Sequence, residues 1–483
     1  MSDILYSSLV LSSKAGSGGG SSDNQDLLGV SFDETNAAGT RTYGAADLSF
    51  TKSTDAAAGT DPFRDNPIYQ GYYVLVKYNS TTQKAEIVAY EGTKKYDDMI
   101  TANEEDFDVV RMFPLFYFKH IIDNQGKIQI VLSKTAKAGF KPSPMHYRNG
   151  VLHEWIGITR YAWGNAGSGA IASRAGLYPL TNTTRADFET KARARGMRVF
   201  GMKELSALQM LGAVKYANLN WQTAIGPGFT EAPATDRTVT VAQENANSVI
   251  LSASYAADFP VGASIYLASN DFRTITANET YSEDDTMIEV SFGGSPFTST
   301  TSTKVHGGLA INGSADAVKG LDGQNTSMHT AGGRRSIITL GIENLFGNCW
   351  KFLTDTMRMN GTSVSYFNPD PDGDNTYPED SNLRGWQAGP TILTTEGYIK
   401  RFAPTYSLGD LTHLSIPAEL GGNQNNPVGD YQYSSAATER KCCLFGGTLG
   451  YWAGAGPFSL FWSNGLGRSG WNRGALGVFI PDL

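Results

Sequence analysis

The sequence predicts an α+β protein that carries a small all-β segment in its interior. From residue 72 onward, short runs of apolar and β-branched residues alternate with turn-forming residues, which indicates strands. Two adjacent segments between residues 184 and 216 have the capping signals and apolar spacing of helices. Between residues 236 and 306 only strand patterns occur. Strands and helices are therefore segregated along the chain, as in an α+β domain.

Composition narrows the functional classes. The chain has 483 residues, of which 54 are glycine, 11% are aromatic and only 18% are charged, a turn-rich and well-folded composition. A formal net charge of −8 argues against a nucleic-acid-binding surface, because such a surface needs a basic face. No apolar run is long enough to span a membrane, and the first ten residues lack a basic signal region. Three cysteines cannot form a disulfide framework, and they fit a protein made in a reducing cytosol.

The first 25 residues divide into an apolar peptide and a linker. Residues 12–25 (SSKAGSGGGSSDNQ) have the composition of a flexible linker. The leading MSDILYSSLVL is either a disordered terminus or a segment that docks onto a neighbouring subunit. Residues 26–104 are expected to form an N-terminal attachment region. In it, an extended arm over residues 26–65 precedes a β-hairpin made of residues 72–78 and 84–90.

Strands are predicted in two parts of the middle of the chain, within residues 105–235 and within residues 236–306. Within residues 105–235, Val109–Lys119 and Lys127–Ser133 are predicted to pair as a second hairpin. Residues 236–306 interrupt the mixed pattern, and we interpret them as a β module inserted into a loop, because insertions are tolerated at exposed loop tips. The predicted strands of this module are 238–241, 248–252, 263–267 and 287–290.

Two consecutive helices are predicted before the inserted module. Thr184 and Asp187 have the spacing of a capping box, and Gly196 suits the left-handed position that ends a helix. The second helix is predicted over about Met202–Tyr216, where leucines recur on one face.

The C-terminal stretch 441–483 is rich in Gly, Trp, Tyr, Phe, Ser and Asn. Glycine pairs mark turns between short apolar bursts. We expect Phe458, Leu460 and Trp471 to lie in the core. A stretch this short is not expected to bury all of its aromatic side chains. Exposed aromatics interspersed with Arg, Ser, Gly and Asn are typical of a binding surface.

The same stretch resembles a known family. The succession FGG, AGPFSL and SGW-x-x-GA, each separated by a mixed run, is similar to the variable end of C-type-lectin-fold proteins. Those proteins serve as phage tail-fibre receptor binders, and many are targets of diversity-generating retroelements. The block Gly341–Trp350 (GIENLFGNCW) resembles a segment of the same fold, which is shared with formylglycine-generating-enzyme-like domains. The resemblance covers roughly residues 105–235 and 307–483.

The resemblance implies a C-type-lectin-like α+β domain with the inserted β module and an N-terminal extended or β attachment region. It further implies a homotrimer in a virion, at the tail tip or tail fibre. The protein would be made in the host cytoplasm and joined to other tail proteins through its N-terminal region. Its function would be adhesion to a bacterial surface protein or glycan, without catalysis and without a cofactor.

The candidate receptor-binding residues lie in the mixed runs of the C-terminal stretch. Trp452, Trp462 and Arg468 are the expected anchors, since aromatic and Arg side chains dominate binding energy at interfaces. The full candidate set is Thr448, Tyr451, Trp452, Phe461, Trp462, Ser463, Asn464, Arg468, Ser469, Asn472 and Arg473.

Two other functions stay open. A formylglycine-generating-enzyme-like oxidase would need a pair of nearby cysteines. Cys442 and Cys443 are adjacent and would point to opposite faces of a strand, so we expect them, with Cys349, to be structural. The other alternative is a structural tail or baseplate subunit whose terminal loops contact only sister chains.

No metal site is expected. Asp370, Asp372 and Asp374 alternate as in a calcium loop, but Asn375 and Ser381 stand where an EF-hand has Gly and Glu. A solvated turn is the favoured interpretation. The six histidines are scattered and match no zinc motif.

Overall fold

The computed structural model describes most of the chain after residue 25. The described residues are 26–102, 106–167, 169–231, 235–268, 271–327, 334–359, 363–373, 377–378, 382–436 and 439–481. The predictions for the N-terminal peptide and linker (1–25), and those for Asp374, Asn375 and Ser381, lie outside these residues.

Among the described residues, the first half of the chain has short strands and four helices. The strands are β1 (Leu27–Phe32), β2 (Thr40–Tyr43), β3 (Ser53–Thr54), β4 (Tyr73–Asn79), β5 (Lys84–Tyr90), β6 (Asp108–Pro114), β7 (Tyr117–Ile122), β8 (Ile128–Ser133), β9 (Lys141–Pro142), β10 (Tyr147–Arg148), β11 (Val151–Leu152), β12 (Trp155–Thr159), β13 (Gly164–Asn165), β14 (Ile171–Ala172) and β15 (Arg198–Val199). The helices are α1 (Lys94–Thr101), α2 (Arg185–Ala194), α3 (Met202–Tyr216) and α4 (Trp221–Ile225).

The second half is built from strands and single 3-10 turns. The strands are β16 (Arg237–Thr238), β17 (Gln243–Ala246), β18 (Ser248–Ser252), β19 (Ser264–Ala268), β20 (Asp271–Thr280), β21 (Met287–Phe292), β22 (Phe297–Ser299), β23 (Lys304–Gly307), β24 (Gly323–Gln324), β25 (Ile337–Thr339), β26 (Ile342–Glu343), β27 (Trp350–Arg358), β28 (Val364–Phe367), β29 (Gln387–Thr391), β30 (Gly397–Phe402), β31 (Pro417–Leu420), β32 (Tyr431–Gln432), β33 (Lys441–Phe445), β34 (Leu460–Gly465), β35 (Arg473–Gly474) and β36 (Gly477–Phe479). The 3-10 helices are Ala253–Asp258, Thr405–Ser407 and Trp452–Gly454.

The expected α+β class is wrong, because the protein is mostly β. Strands account for 38% and helices for 12%. Many of the strands are only two to four residues long. Such strands are too short to show the period-2 alternation by which a strand is recognised in a sequence. The two longest helices, α2 and α3, were predicted, α1 and α4 were not, and the strands were under-predicted.

Three large sheets organise the main body. One has the order β15-β36-β12-β6-β4-β5, so the end of the chain pairs with its first half. The second has the order β2-β1-β8-β7-β9. The third has the order β29-β28-β27-β33-β34, with β35 added parallel to β27. Smaller sheets complete the body, with the orders β26-β25-β24-β3, β31-β30-β32, β10-β11 and β13-β14.

Both predicted helices are confirmed. The Thr184 hydroxyl accepts from the Asp187 backbone N–H, and Gly196 adopts a φ of 67° just after α2. Helix α3 has the predicted bounds, but it is buried on every side rather than on one stripe, with only Lys203 partly accessible. It packs between the β1-β8 and β27 strands. Within the part of the chain that the structure describes, no helix has the length and apolar character needed to cross a bilayer.

Two expectations for the first 135 residues need correction. Val109–Lys119 is not one strand of a hairpin. The first strand ends at Pro114 and the next begins at Tyr117. Strand β6 pairs with β12 and β4, whereas β7 pairs with β8 in another sheet. Residues 26–65 do not form only an arm, because the apolar side chains of β1 enter the main core beside those of β8.

Residues 237–307 form sheets of their own. Six strands have the order β16-β23-β19-β20-β21-β18, and β17 pairs with β22. The buried apolar residues of these strands make a separate cluster. Arg237 lies opposite Val305, so the two ends of the segment are adjacent, as the insertion hypothesis requires.

Candidate functional site

The two strands of the C-terminal hairpin differ in burial. All five residues of β33 are buried, because β33 lies between β27 and β34 and is covered on both faces. On β34, which is at the edge of this sheet, buried and half-buried residues alternate. A strand that is covered on one face alone is the part of the hairpin that can present side chains to a partner.

The inner face of β34 belongs to the main core. Leu460 and Trp462 join the same apolar cluster as Phe445 and Phe458. Trp462 has 0% exposed surface. The expectation that Trp462 is a receptor-binding anchor is therefore wrong. The predicted core positions of Phe458 and Leu460 are confirmed.

The outer face of β34 is lined by aromatic rings. Phe461 stacks on the buried Trp350 at 5.5 Å between ring centroids, and Tyr451 meets Trp350 edge-on at 5.3 Å. Tyr433 lies 4.7 Å from Tyr451 and 6.2 Å from Phe461. These four residues pack as one unit in which Trp350 is the floor and the other three are half-buried.

The ring cluster continues through two further tyrosines on neighbouring strands. Tyr431 lies 4.5 Å from Tyr433, and Tyr398 of β30 lies 5.1 Å from Tyr431. The pairing of β30 with β32 and the bridge from Tyr433 to Phe461 hold these strands side by side. We call the half-buried rings together the aromatic face: Tyr398, Tyr431, Tyr433, Tyr451 and Phe461.

The backbone around Trp452 is strained and supports an exposed indole. Trp452 has a φ of 48°, a left-handed conformation that is rare for a bulky residue. Its side chain is 58% exposed. Hydrogen bonds hold the strained turn: the N–H groups of Gly450 and Trp452 donate to the Thr230 carbonyl at 2.7 and 3.3 Å, and the Gln222 amide donates to the Trp452 carbonyl at 3.0 Å. Strain of this kind is often found at functional positions.

Tyr433 and Tyr451 of the aromatic face stay protonated at neutral pH. Burial is the main cause that raises the pKa of Tyr433, with smaller contributions from Tyr451 and Tyr431. Burial also raises the pKa of Tyr451, opposed by a hydrogen bond with Trp350. The phenol groups of Tyr433 and Tyr451 are therefore neutral donors and acceptors on a largely apolar surface. Such a surface can bind a sugar ring or a protein side chain.

A polar rim flanks the aromatic face. The Ser435 hydroxyl donates to the Ser463 hydroxyl at 3.0 Å. Arg473 is half-buried and donates to the Ser469 carbonyl at 2.5 Å, while Arg468 is exposed. Loss of water around Arg473 lowers its pKa, and the nearby Arg468 adds to this effect. Predicted residues therefore supply two of the five rings, Tyr451 and Phe461, and part of the rim.

Three other predicted residues are placed differently. Thr448 is buried, and its hydroxyl donates to the Asn348 carbonyl at 2.8 Å. Asn464 is buried, and its amide donates to the Cys442 sulfur at 3.1 Å. Neither side chain reaches the surface, so their assignment to a receptor-binding surface is wrong. Asn472 is half-buried, and its carbonyl accepts from the Trp350 N–H at 2.9 Å.

Trp471 was expected in the core of the C-terminal stretch, but it is half-buried at a contact with the inserted module. Its ring lies 4.2 Å from His306 and 5.8 Å from Tyr266. Nearby, the Tyr178 ring stacks on Phe272 of the module at 5.6 Å. Trp471 thus joins two parts of the chain.

The cysteines are structural. Cys442 and Cys443 are buried and belong to clusters on opposite faces of β33, as strand geometry predicts. Burial raises the pKa of both thiols, and it also raises that of Cys349. Reactive thiols need the opposite, an accessible site that favours the thiolate.

The aspartate-rich turn is only partly solvated. Asp372 is buried and accepts from the Arg148 guanidinium at 2.7 Å, which corrects the expectation of a solvated turn. Among the described residues, no group of three or more His, Cys, Asp or Glu side chains is placed to hold a metal ion.

Sequence reasoning missed Tyr398, Tyr431 and Tyr433. The signal for two of them was present, because Tyr431 and Tyr433 are two residues apart and therefore share one face of an extended segment. Comparison with known proteins adds no assignment: no protein-family model matches the chain, and no curated protein matches it significantly.

Proposed function

We propose that the protein is a phage tail-fibre adhesin that recognises a bacterial surface protein or glycan through the aromatic face. The observation that carries the proposal is the continuous set of half-exposed rings on the C-terminal hairpin and its neighbours. Two of these rings, Tyr451 and Phe461, lie in the stretch 441–483, which resembles the variable end of phage receptor binders. Tyr-rich surfaces provide large contact area at a low cost in conformational entropy.

The geometry supports recognition without catalysis. The rings rest on the buried Trp350 and on strands of the main sheets, so the surface is rigid before a partner arrives. Rigid surfaces bind tightly because little conformational freedom is lost on association. Assembly into a homotrimer on a virion would add multivalency, which strengthens weak individual contacts. The N-terminal region would then join the protein to the rest of the tail.

The first experiment asks whether the purified full chain binds bacterial cells. Fluorescently labelled protein is incubated with a panel of bacterial strains, and binding is measured by flow cytometry. For a strain that binds, Trp452→Ala and Tyr431→Ala should each weaken binding at least about tenfold, as truncation of an interface hot spot does. Tyr90→Ala is the matched control, because Tyr90 is a comparably exposed ring, at 49%, on the edge strand of another sheet.

The same experiment separates adhesion from a purely structural role. A structural tail subunit would bind no strain in the panel, and its C-terminal rings would be covered by sister chains. Equal binding by all three Ala variants and the unmodified chain would remove the aromatic face from the receptor site.

Sequences of sibling genes provide an independent test. If the gene is diversified, substitutions should concentrate at the accessible positions of the mixed runs, such as Tyr451, Trp452, Phe461 and Arg468. Trp462 should stay unchanged because it is part of the core. Substitutions spread evenly along the chain would argue against diversification.

A further inference from the structure

A second feature, lined by none of the residues of the aromatic face, is a cavity of about 530 Å³. This volume lies within the range of ligand-binding pockets in proteins. Its walls come from β7, β9, β28, β29 and the loop before β31. Eight of the fifteen lining residues have apolar or aromatic side chains, and they include Phe118, Pro142, Pro144, Tyr147, Phe367 and Leu411.

Two charged groups of the cavity, Asp355 and Lys203, are already engaged by the protein, whereas the Lys141 ammonium and the Asp410 carboxylate lie 4.0 Å apart and are exposed at 47% and 97%. The Asp355 carboxylate accepts from the backbone N–H groups of Met202 and Lys203 at the start of α3, at 2.6 and 3.3 Å. The Lys203 ammonium donates to the Pro369 carbonyl at 2.7 Å. Burial lowers the pKa of His413 to about 3, so its imidazole is neutral. The cavity therefore offers apolar area, with the exposed charges of Lys141 and Asp410 among its lining groups, and the apolar area suits an apolar occupant.

The described chain begins close to this cavity. Leu27 pairs with Ser133, Ser133 with Tyr117, and Tyr117 with Pro142, so these four residues form one row across the sheet. Neighbouring strands are about 4.8 Å apart, which puts Leu27 about 14 Å from Pro142 at the cavity wall. Residues 1–25 are therefore joined to the described chain at a point near the cavity.

The sequence of those residues matches the cavity in chemistry and in reach. Residues 4–11 (ILYSSLVL) are apolar except for two serines. The Gly/Ser-rich residues 12–25 connect them to the sheet. For a Gly/Ser-rich linker of this length, the expected end-to-end distance is about 20 Å. A peptide on such a tether has an effective concentration of about millimolar near a binding site on the same chain.

We propose that residues 4–11 bind in the cavity of their own chain, with aliphatic side chains against the Phe118, Tyr147 and Phe367 rings. Binding in this place would cover an apolar surface that would otherwise face water. It would also fix the N-terminal segment against the β7–β9 edge of the sheet. This proposal does not depend on the receptor-binding function.

The test uses the full chain with one new cysteine on each partner. Leu9→Cys is combined with Gln387→Cys, because Gln387 lines the cavity and is exposed. The native cysteines are all buried and do not compete. Val261→Cys replaces Gln387→Cys in the control, because Val261 is exposed at 58% on the inserted module. After mild oxidation, mass spectrometry should find the Leu9–Gln387 crosslink within one chain at about tenfold higher yield than the control crosslink.

A second pair of variants tests the apolar contacts. The dye 1-anilinonaphthalene-8-sulfonate reports accessible apolar surface. Leu5→Asp with Leu9→Asp should raise dye fluorescence at least about threefold, whereas Ser7→Asp with Ser8→Asp adds the same charge and should not. A synthetic peptide of residues 2–11 should reverse the increase. Equal crosslinking to both cysteine sites, crosslinks that form only between chains and vanish on dilution, or equal dye binding by the two aspartate variants would each overturn the proposal.

Discussion

The inner and outer faces of strand β34 differ in what their side chains can do, although they alternate along the same six residues. The inner face places Leu460 and Trp462 in the main core. The outer face places Phe461 on Trp350, beside the half-buried Tyr433 and Tyr451. The difference teaches that, in a stretch rich in aromatic residues, the strand period decides which rings stabilise the fold and which can bind a partner.

The largest effect is expected on the inner face. Trp462→Ala removes a fully buried indole and should reduce the free energy of unfolding by about 3–5 kcal/mol, because it leaves a cavity in the core. Chemical denaturation measures this change. A loss of less than about 1 kcal/mol in the free energy of unfolding would show that the Trp462 side chain is not packed in the core as described.

The exposed Trp452 side chain is tested by measuring attachment to bacterial cells. Trp452→Ala should weaken attachment to a bound bacterial strain by about 1–4 kcal/mol, as expected for an aromatic anchor. Its melting temperature should stay within a few degrees of the unmodified protein, because an exposed side chain leaves no cavity. Competition binding and thermal melts are measured on the same sample. A large drop in melting temperature with unchanged attachment would place Trp452 on the structural side.

The pH dependence of folding stability tests the buried Gly341–Trp350 block, which belongs to the core rather than to the exposed aromatic face. Burial and the nearby Asp316 raise the pKa of Glu343 to about 8, despite hydrogen bonds from the Gly313 and Ala315 N–H groups. In the unfolded chain, the Glu343 carboxyl has its ordinary pKa near 4.5. Between pH 4.5 and 8, the unfolded state therefore loses the proton of this carboxyl, whereas the folded state keeps it.

The stabilising contribution of protonated Glu343 is therefore fully present below pH 4.5 and is lost as the pH rises toward 8. It should amount to more than about 1 kcal/mol, since each pKa unit corresponds to about 1.4 kcal/mol. Glu343→Gln should flatten this part of the stability profile, measured by denaturation at several pH values. An unchanged slope in the variant would assign the pH dependence to other groups.

The smallest effect is expected where Trp471 joins the inserted module. A double-mutant cycle with Trp471→Ala and Tyr266→Ala should give a coupling free energy of about 0.5–1.5 kcal/mol, typical of an aromatic pair. Additive losses would mean that the module is packed independently of the C-terminal stretch.

Local signals explain which parts of the fold were predictable. Helix α2 has its cap at Thr184 and its left-handed Gly196, and both act within a few residues, so the helix was found. The split between β6 and β7 depends on partners that are distant in sequence, which a local pattern cannot reveal. The two-residue strands are likewise defined by their partners, and this is why the β content was underestimated.

The site was predictable in part, for a similar reason. Tyr451, Trp452 and Phe461 were found from composition. Trp462 was misassigned, although its two-residue spacing from Leu460, itself expected in the core, indicates the same face of a strand. Tyr398 is brought to the aromatic face by the pairing of β30 with β32, which composition does not reveal.

The most direct test of the central claim is a paired measurement on the two faces of β34 and its ring neighbours. Leu460→Ala and Trp462→Ala represent the inner face, and Tyr451→Ala, Phe461→Ala and Tyr433→Ala represent the outer face. For each variant, the free energy of unfolding and the attachment of folded protein to bacterial cells are determined on the same preparation. The account predicts that inner-face variants lose mainly stability and keep the attachment of each folded molecule, while outer-face variants lose mainly attachment. Attachment that survives all three outer-face substitutions, in protein that remains folded, would contradict it.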